Sequence, residues 1–116
     1  MALRLRIVSG EEIVALVTNP SVEELELAPG KKVIALVKAY AVDLARRKRS
    51  GNENNIPGVV SRLVKGPESC EVTLDIGKAR KLTAVTPLER AAKLAISEGQ
   101  NLIACFNPRD VIIAAN

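Results

Sequence analysis

A chain of 116 residues with 47% apolar content and a formal charge of +4 has the material for one domain, or two very small ones, with a buried core. Histidine is absent, which removes the commonest general base and the commonest metal ligand and argues against hydrolase and zinc readings. No apolar run approaches the roughly 18 residues that cross a bilayer, and the N-terminus alternates Arg with Leu where a signal peptide would be unbroken and apolar, so a cytoplasmic globular protein is expected.

Residues 3–8, LRLRIV, alternate as a half-buried strand does, and Ser9–Glu12 supply a glycine-containing turn. The next strand, Ile13–Val17, is nearly all apolar and is expected to be buried on both faces. Thr18-Asn19-Pro20-Ser21 joins helix-capping residues to a turn proline, and Val22, Leu25 and Leu27 place an apolar stripe on a short acidic helical turn that Pro29-Gly30 ends. Strands Lys32–Lys38 and Ala41–Ala45 follow, separated by a tight bend at Ala39-Tyr40.

Residues 46–55, RRKRSGNENN, are polar, basic and rich in turn formers, and read as a surface linker. Arg46–Arg49 hold most of the excess charge and fit either a solvated connector or a nucleic-acid patch. Beyond the linker, strands are expected at Val59–Val64, Cys70–Ile76 and Leu82–Thr86, then a helix over Pro87–Ser97 with Gly99 closing it, then strands Asn101–Phe106 and Val111–Ala115. Cys70 and Cys105 lie in strand-like surroundings without CxxC spacing and read as buried free thiols.

Residues 3–45 slide onto 72–114 without a gap: Leu5 meets Leu74, Ile7 meets Ile76, Ala15 meets Ala84, Leu25 meets Leu94 and Val42 meets Val111. The pattern predicts two copies of one β-β-helix-β-β unit. The second copy also owns a preceding strand within Asn55–Cys70, whose counterpart would lie before Met1. The first unit is then a strand short, and its unpaired edge is expected to be covered by a strand from the same chain or a symmetry partner, unless the chain is a truncation.

The runs NNIPGVVSRLVKGPESCEVTLDI, LTAVTP and EGQNLIACFNPRDVIIA resemble the second half of the tandem molybdate-binding region of bacterial molybdenum-responsive transcriptional regulators. The first copy, IVALVTNPSVEELELAPGKKVIALVKAYAVDLA, is similar to a molbindin, a module of the transport-associated oligonucleotide/oligosaccharide-binding class. The resemblance implies a mainly β fold with two small OB-like β-barrel modules in tandem, each with one short helix. These are an incomplete module at 1–45, the basic linker at 46–55 and a second module at 56–116. It also implies molybdate or tungstate as ligand, a homodimer or higher homo-oligomer with sites at its interfaces, and DNA contact only through a separate helix-turn-helix domain.

A buried tetrahedral dianion needs N–H groups, hydroxyls and one or two cations, with no acid nearby. Lys38 at a strand end, before the Ala39-Tyr40 bend, supplies a cation and consecutive N–H groups; Thr18 and Ser21 supply hydroxyls at a helix entrance. As residue types alone, these also fit an ordinary strand-end lysine and a plain helix cap. The resemblance assigns oxyanion contact to both places. In the second copy, Lys38 becomes Asn107, Ala39 becomes Pro108, Thr18 becomes Pro87 and Ser21 becomes Arg90, so that module is expected to be mainly structural or part of an interface.

Molbindins carry a Ser-x-Arg-Asn stretch before their first strand, and the aligned residues here are Gly51-Asn52-Glu53-Asn54. Glu53 stands where the family has arginine, so part of a complete site is expected to come from elsewhere. Two other readings remain from sequence: a nucleic-acid-binding barrel, for which Tyr40 and Phe106 make a thin aromatic platform, and a structural or oligomerisation domain without ligand. No residues assemble into an acid/base pair or an activated nucleophile, so no enzyme is expected.

Overall fold

The computed structural model describes residues 1–7, 9–51 and 53–115. Val8 of the first expected strand, Asn52 of the expected linker and Asn116 at the end of the second module lie outside the described residues. In chain order the elements are β1 (Ala2–Arg6), β2 (Glu12–Leu16), α1 (Asn19–Glu24), β3 (Val33–Val37), β4 (Asp43–Ala45), β5 (Asn54–Lys65), β6 (Ser69–Gly77), β7 (Arg80–Pro87), α2 (Leu88–Lys93), β8 (Asn101–Phe106) and β9 (Val111–Ala115). Short 3-10 turns occupy Ala39–Ala41 and Pro108–Asp110. A shift of 69 residues carries α1 onto α2 and the first 3-10 turn onto the second, residue for residue. Among the described residues, β5 is the one strand without a counterpart.

The two units are interlocked. β4 of the first unit pairs with β8 of the second, and β9 of the second pairs with β3 of the first, both antiparallel. This reciprocal exchange leaves a five-stranded sheet in the order β4-β8-β5-β6-β7 and two separate two-stranded sheets, β1-β2 and β3-β9. The mainly β class and the tandem arrangement hold, but among the described residues the strands do not close into barrels. In the second unit β5 pairs β8 over Asn54–Val59 and β6 over Val59–Lys65, joining its two halves; among the described residues no strand does this in the first unit, which leaves β1-β2 and β3-β9 as separate sheets.

β5 runs well beyond the expected Val59–Val64 because Pro57 and Gly58, turn formers by type, sit inside it. Gly58 is required by packing: a Cβ there would lie 3.0 Å from the Asp75 carbonyl oxygen and 3.0 Å from the Leu74 Cβ. The core gathers Val60, Val72, Leu74, Leu102, Ala104 and Phe106 with Leu44 and Ala15 of the first unit. Cys70 and Cys105 are buried free thiols. β2 is buried through Ile13 and Ala15 only, with Leu16 exposed, so the expectation of two buried faces fails: its sheet has only two strands.

The second helix is shorter than the expected Pro87–Ser97, and Gly99 does not close it. Ala95 adopts φ +48°, its N–H donates to the Ala92 carbonyl and Ile96 N–H donates to the Ala91 carbonyl, the paired bonds of a left-handed C-terminal cap. Glu26, with φ +51°, ends α1 in the same way through Glu26 N–H to Glu23 and Leu27 N–H to Val22. In each copy a residue with a Cβ occupies the position glycine favours, which hid the stop from sequence.

Candidate functional site

The Lys38 bend is built by a change of backbone from strand to 3-10 turn. Lys38 caps the turn with extended φ/ψ of −67°/138°, Ala41 N–H donates to the Lys38 carbonyl at 2.9 Å, and Val42 N–H donates to the Ala39 carbonyl at 3.3 Å. These bonds leave the N–H groups of Ala39 and Tyr40 without an acceptor, and none is found elsewhere among the described residues. The Lys38 side chain is exposed and joins no ion pair among the described residues, and Tyr40 is 85% exposed. One cation and two adjacent N–H groups without an acceptor therefore occur together at this bend, the residue types an oxyanion uses.

The equivalent bend of the second unit is closed. Asn107 has nearly the same φ/ψ, −76°/139°, but its Oδ1 accepts the Arg109 N–H at 2.9 Å, and Pro108 has no N–H to offer. Both donors that the first bend exposes are thus removed in the second.

Thr18 and Ser21 lie together at the start of α1. Ser21 N–H donates to Thr18 Oγ1 at 3.2 Å, and the two hydroxyl oxygens are 2.8 Å apart. Whichever hydroxyl donates in that pair, the other proton is left for a ligand. Backbone donors are scarce here, since Pro20 has none, Ser21 N–H is spent on the cap and Val22 N–H donates to the Thr18 carbonyl. With six residues in α1, the hydroxyls carry the chemistry of this entrance and the helix dipole adds little.

The structure does not join the two groups: no hydrogen bond or ion pair links Lys38, Ala39 or Tyr40 to Thr18 or Ser21 among the described residues. The Lys38 bend packs against β7 of the second unit, and the Asn107 bend packs against β2 of the first. The strand exchange therefore sets each bend on the other copy's strand, the one that leads into its helix.

At that second helix, the residues that replaced the hydroxyls are structural. Pro87 caps α2 without a side-chain bond. Arg90, in the place of Ser21, donates to the Leu44 carbonyl at 2.9 Å and lies 3.8 Å from Asp43 Oδ1, tying α2 to β4. Arg49 reaches the other oxygen of Asp43 at 2.5 Å. Burial pushes the Asp43 carboxyl up, but hydrogen bonds from Arg49 and from Leu44 N–H, with the charges of Arg49 and Arg90, outweigh it and hold the group below the usual aspartate range. Burial raises the Cys105 thiol against the pull of Arg49.

The basic segment is not a free connector. Arg46 donates to the Leu94 carbonyl at 3.1 Å at the end of α2, Lys48 lies 3.8 Å from Glu11, and Arg49 pairs with Asp43 and, at 3.5 Å, with Glu53. Asn55 accepts Arg49 N–H and donates back to the Arg49 carbonyl. Glu53 thus lies at ion-pair distance from Arg49, its buried Oε2 making no hydrogen bond among the described residues. Asn54, only 5% exposed, reaches across to the first unit, accepting Val14 N–H at 2.8 Å and donating to the Val14 carbonyl at 2.9 Å. Sequence reasoning missed Asn54, Arg46 and Arg90 because each acts on a backbone group far away in the chain; the adjacent asparagines opening an apolar strand were the one visible signal.

The TOBE domain model matches residues 2–44 and 50–113, covering both copies. The chain belongs to the TOBE domain family. Among curated relatives, this TOBE chain is 35% identical over 115 residues to the molybdenum-pterin-binding protein MopB of Rhodobacter capsulatus, covering 97% of the chain and 43% of the relative. It is 35% identical over 100 residues to the DNA-binding transcriptional dual regulator ModE of Escherichia coli K12, covering 84% of the chain and 37% of the relative. The chain thus spans under half the length of these relatives. Among solved structures it is similar to the cytoplasmic molybdate-binding protein ModG in a molybdate-bound form, with TM-score 0.93 and 29% identity over 99% of this chain and 84% of that one. MopII of Clostridium pasteurianum matches 53% of this chain over 92% of its own, with TM-score 0.52 and 35% identity, as expected if one MopII chain corresponds to one of the two copies.

Proposed function

We propose that this TOBE chain binds molybdate or tungstate without catalysis, as a sensing or storage module. The observation that carries the reading is the likeness to molybdate-bound ModG over nearly the whole chain. The open bend supports it: Lys38 offsets charge, and the Ala39 and Tyr40 N–H groups supply two directed hydrogen bonds to an oxyanion. Thr18 and Ser21 are proposed to complete the shell with hydroxyls. Because no hydrogen bond or ion pair among the described residues joins them to the Lys38 bend, which packs on β7, we place the full site between copies in a homodimer or higher homo-oligomer in the cytoplasm. The nucleic-acid reading is the less favoured, since Arg46 and Arg49 bond to a carbonyl and a carboxylate of this chain and the aromatic platform is thin.

Titration calorimetry at high protein concentration tests the proposal, with molybdate and tungstate as ligands and sulfate as the control. Saturable heat with the first two and a much weaker signal with sulfate is expected. No heat with either metal oxyanion sinks it. Light scattering of the eluting species, with and without molybdate, reads the oligomer.

A further inference from the structure

The two bends are held by different means. In the second, Asn107 closes the turn from within, its Oδ1 accepting the Arg109 N–H. No side chain caps the first turn, whose own bonds are Ala41 N–H to the Lys38 carbonyl and Val42 N–H to the Ala39 carbonyl, the latter long at 3.3 Å. Its support comes from the flanks. On the N-terminal side Val37 pairs with Val111 of β9, and on the C-terminal side Asp43, two residues past the turn, opens β4 opposite Cys105 of β8. Asp43 Oδ1 accepts Leu44 N–H at 2.8 Å and lies 3.8 Å from Arg90 Nε, while Oδ2 accepts from the Arg49 guanidinium at 2.5 Å. Arg49 is itself clamped through its backbone by Asn55, and Arg90 is fixed by its bond to the Leu44 carbonyl. The residue 69 positions after Asp43 is Ile112, so no carboxylate holds the second bend in this way.

We propose that Asp43, held between Arg49 and Arg90, is a positioning residue that fixes the open bend for its ligand, an inference that rests on the oxyanion reading of Lys38, Ala39 and Tyr40. A bend whose N–H groups stay free for a ligand has no internal side-chain bond to spend on its own geometry, so it is fixed through the backbone that leaves it. Part of the anchor comes from the other unit. Arg90 stands where the first unit has Ser21, so the residue that replaced a hydroxyl at the second helix entrance bears on the site of the first unit. Coulomb's law gives the opposite expectation for Asp43: a carboxylate near a dianion repels it, and direct electrostatics makes its removal favour binding. Positioning accounts for a carboxylate two residues past a turn read as anion-binding, with its own charge offset by two arginines.

Titration calorimetry with molybdate on the 116-residue chain tests this through Asp43→Asn and Asp43→Ala. Both remove the same charge, but asparagine keeps an oxygen that accepts from Arg49 or Leu44 N–H and alanine keeps none. The carboxylate is partly exposed, so both variants are expected to fold. Positioning predicts molybdate affinity reduced about three- to tenfold by Asp43→Ala and about twofold or less by Asp43→Asn. Charge alone predicts equal affinity in the two variants, at or above that of the unaltered chain. Amide hydrogen exchange by NMR supplies a readout free of ligand. Exchange at Ala41 and Val42 is expected to quicken by at least about threefold in Asp43→Ala, with no change at Asp110 and Val111, whose N–H groups make the same bonds in the second turn. Tighter or unchanged binding in Asp43→Ala, equal affinity in the two variants, or exchange that stays constant or changes equally in both turns overturns the proposal. No heat from the unaltered chain counts against the oxyanion reading instead, and exchange at Ala41 and Val42 then decides whether Asp43 holds the turn.

Discussion

The two bends share a backbone and differ in chemistry. Lys38-Ala39-Tyr40 and Asn107-Pro108-Arg109 form the same 3-10 turn with closely matching cap angles. The first presents a cation and two open N–H groups, whereas the second has one N–H deleted by proline and the other covered by an asparagine side chain. The helix entrances diverge in the same sense: Thr18 and Ser21 keep a hydroxyl proton available, while Pro87 and Arg90 serve capping and cross-bracing. A repeat can therefore keep its fold in both copies while leaving donors open in one, because the donors belong to backbone positions that two substitutions close without moving the chain.

The largest expected effect is on ligand affinity. Lys38→Ala is expected to weaken molybdate binding by roughly 10- to 100-fold, the range for losing a hydrogen bond to a charged group, while Asn107→Ala changes it less than about twofold. Equal effects in calorimetry would break the asymmetry between the bends. Next, Arg90→Ala removes a hydrogen bond to Leu44 and an ion pair to Asp43, at a cost of about 1–2 kcal/mol in urea unfolding. The matching Ser21→Ala is expected to cost under about 1 kcal/mol, because the Thr18 cap persists.

Smaller still, Ala95→Gly and Glu26→Gly are each expected to stabilise by about 0.5–1 kcal/mol, since both positions hold positive φ at a helix end. A loss in either would mean its left-handed cap is not formed. The smallest effect is pH-dependent. The Asp43 carboxyl titrates below its unfolded value, so its contribution is present above about pH 4 and is lost as pH falls through the lower folded value. Asp43→Asn is therefore expected to cost under about 1 kcal/mol at pH 7, given the partial exposure of the group, and progressively less as pH falls below about 4. A cost that does not fall with pH would remove Arg49 and Arg90 as the cause.

Much of this was legible in the chain itself. The 69-residue repeat placed the strands, both helices and both bends, because alternation and capping residues are local signals. The contrast of Ala39 with Pro108 was visible for the same reason, proline's missing N–H being a property of the residue. What stayed hidden depends on distant partners. Nothing local to Asp43–Ala45 says that it pairs with Ile103–Cys105, or that Val111–Ala115 returns to β3. Arg46–Arg49 read as a basic linker because their acceptors, the Leu94 carbonyl and Glu11 among them, are far away in sequence. Pro57 and Gly58 masked the first half of β5, since residue type signals a turn where packing against Leu74 demands a glycine.

The central claim is that the open N–H groups of the first bend bind the oxyanion, and Ala39→Pro tests it most directly. The substitution copies Pro108 into a turn whose preceding residue already has the extended backbone that proline requires, so folding should be unaffected or slightly favoured. One donor is deleted while Lys38 remains. Calorimetry with molybdate on a variant of unchanged Tm is predicted to show affinity reduced roughly tenfold, the equivalent of about 1.4 kcal/mol. Affinity equal to that of the unaltered chain would contradict the account and move the binding site away from this bend.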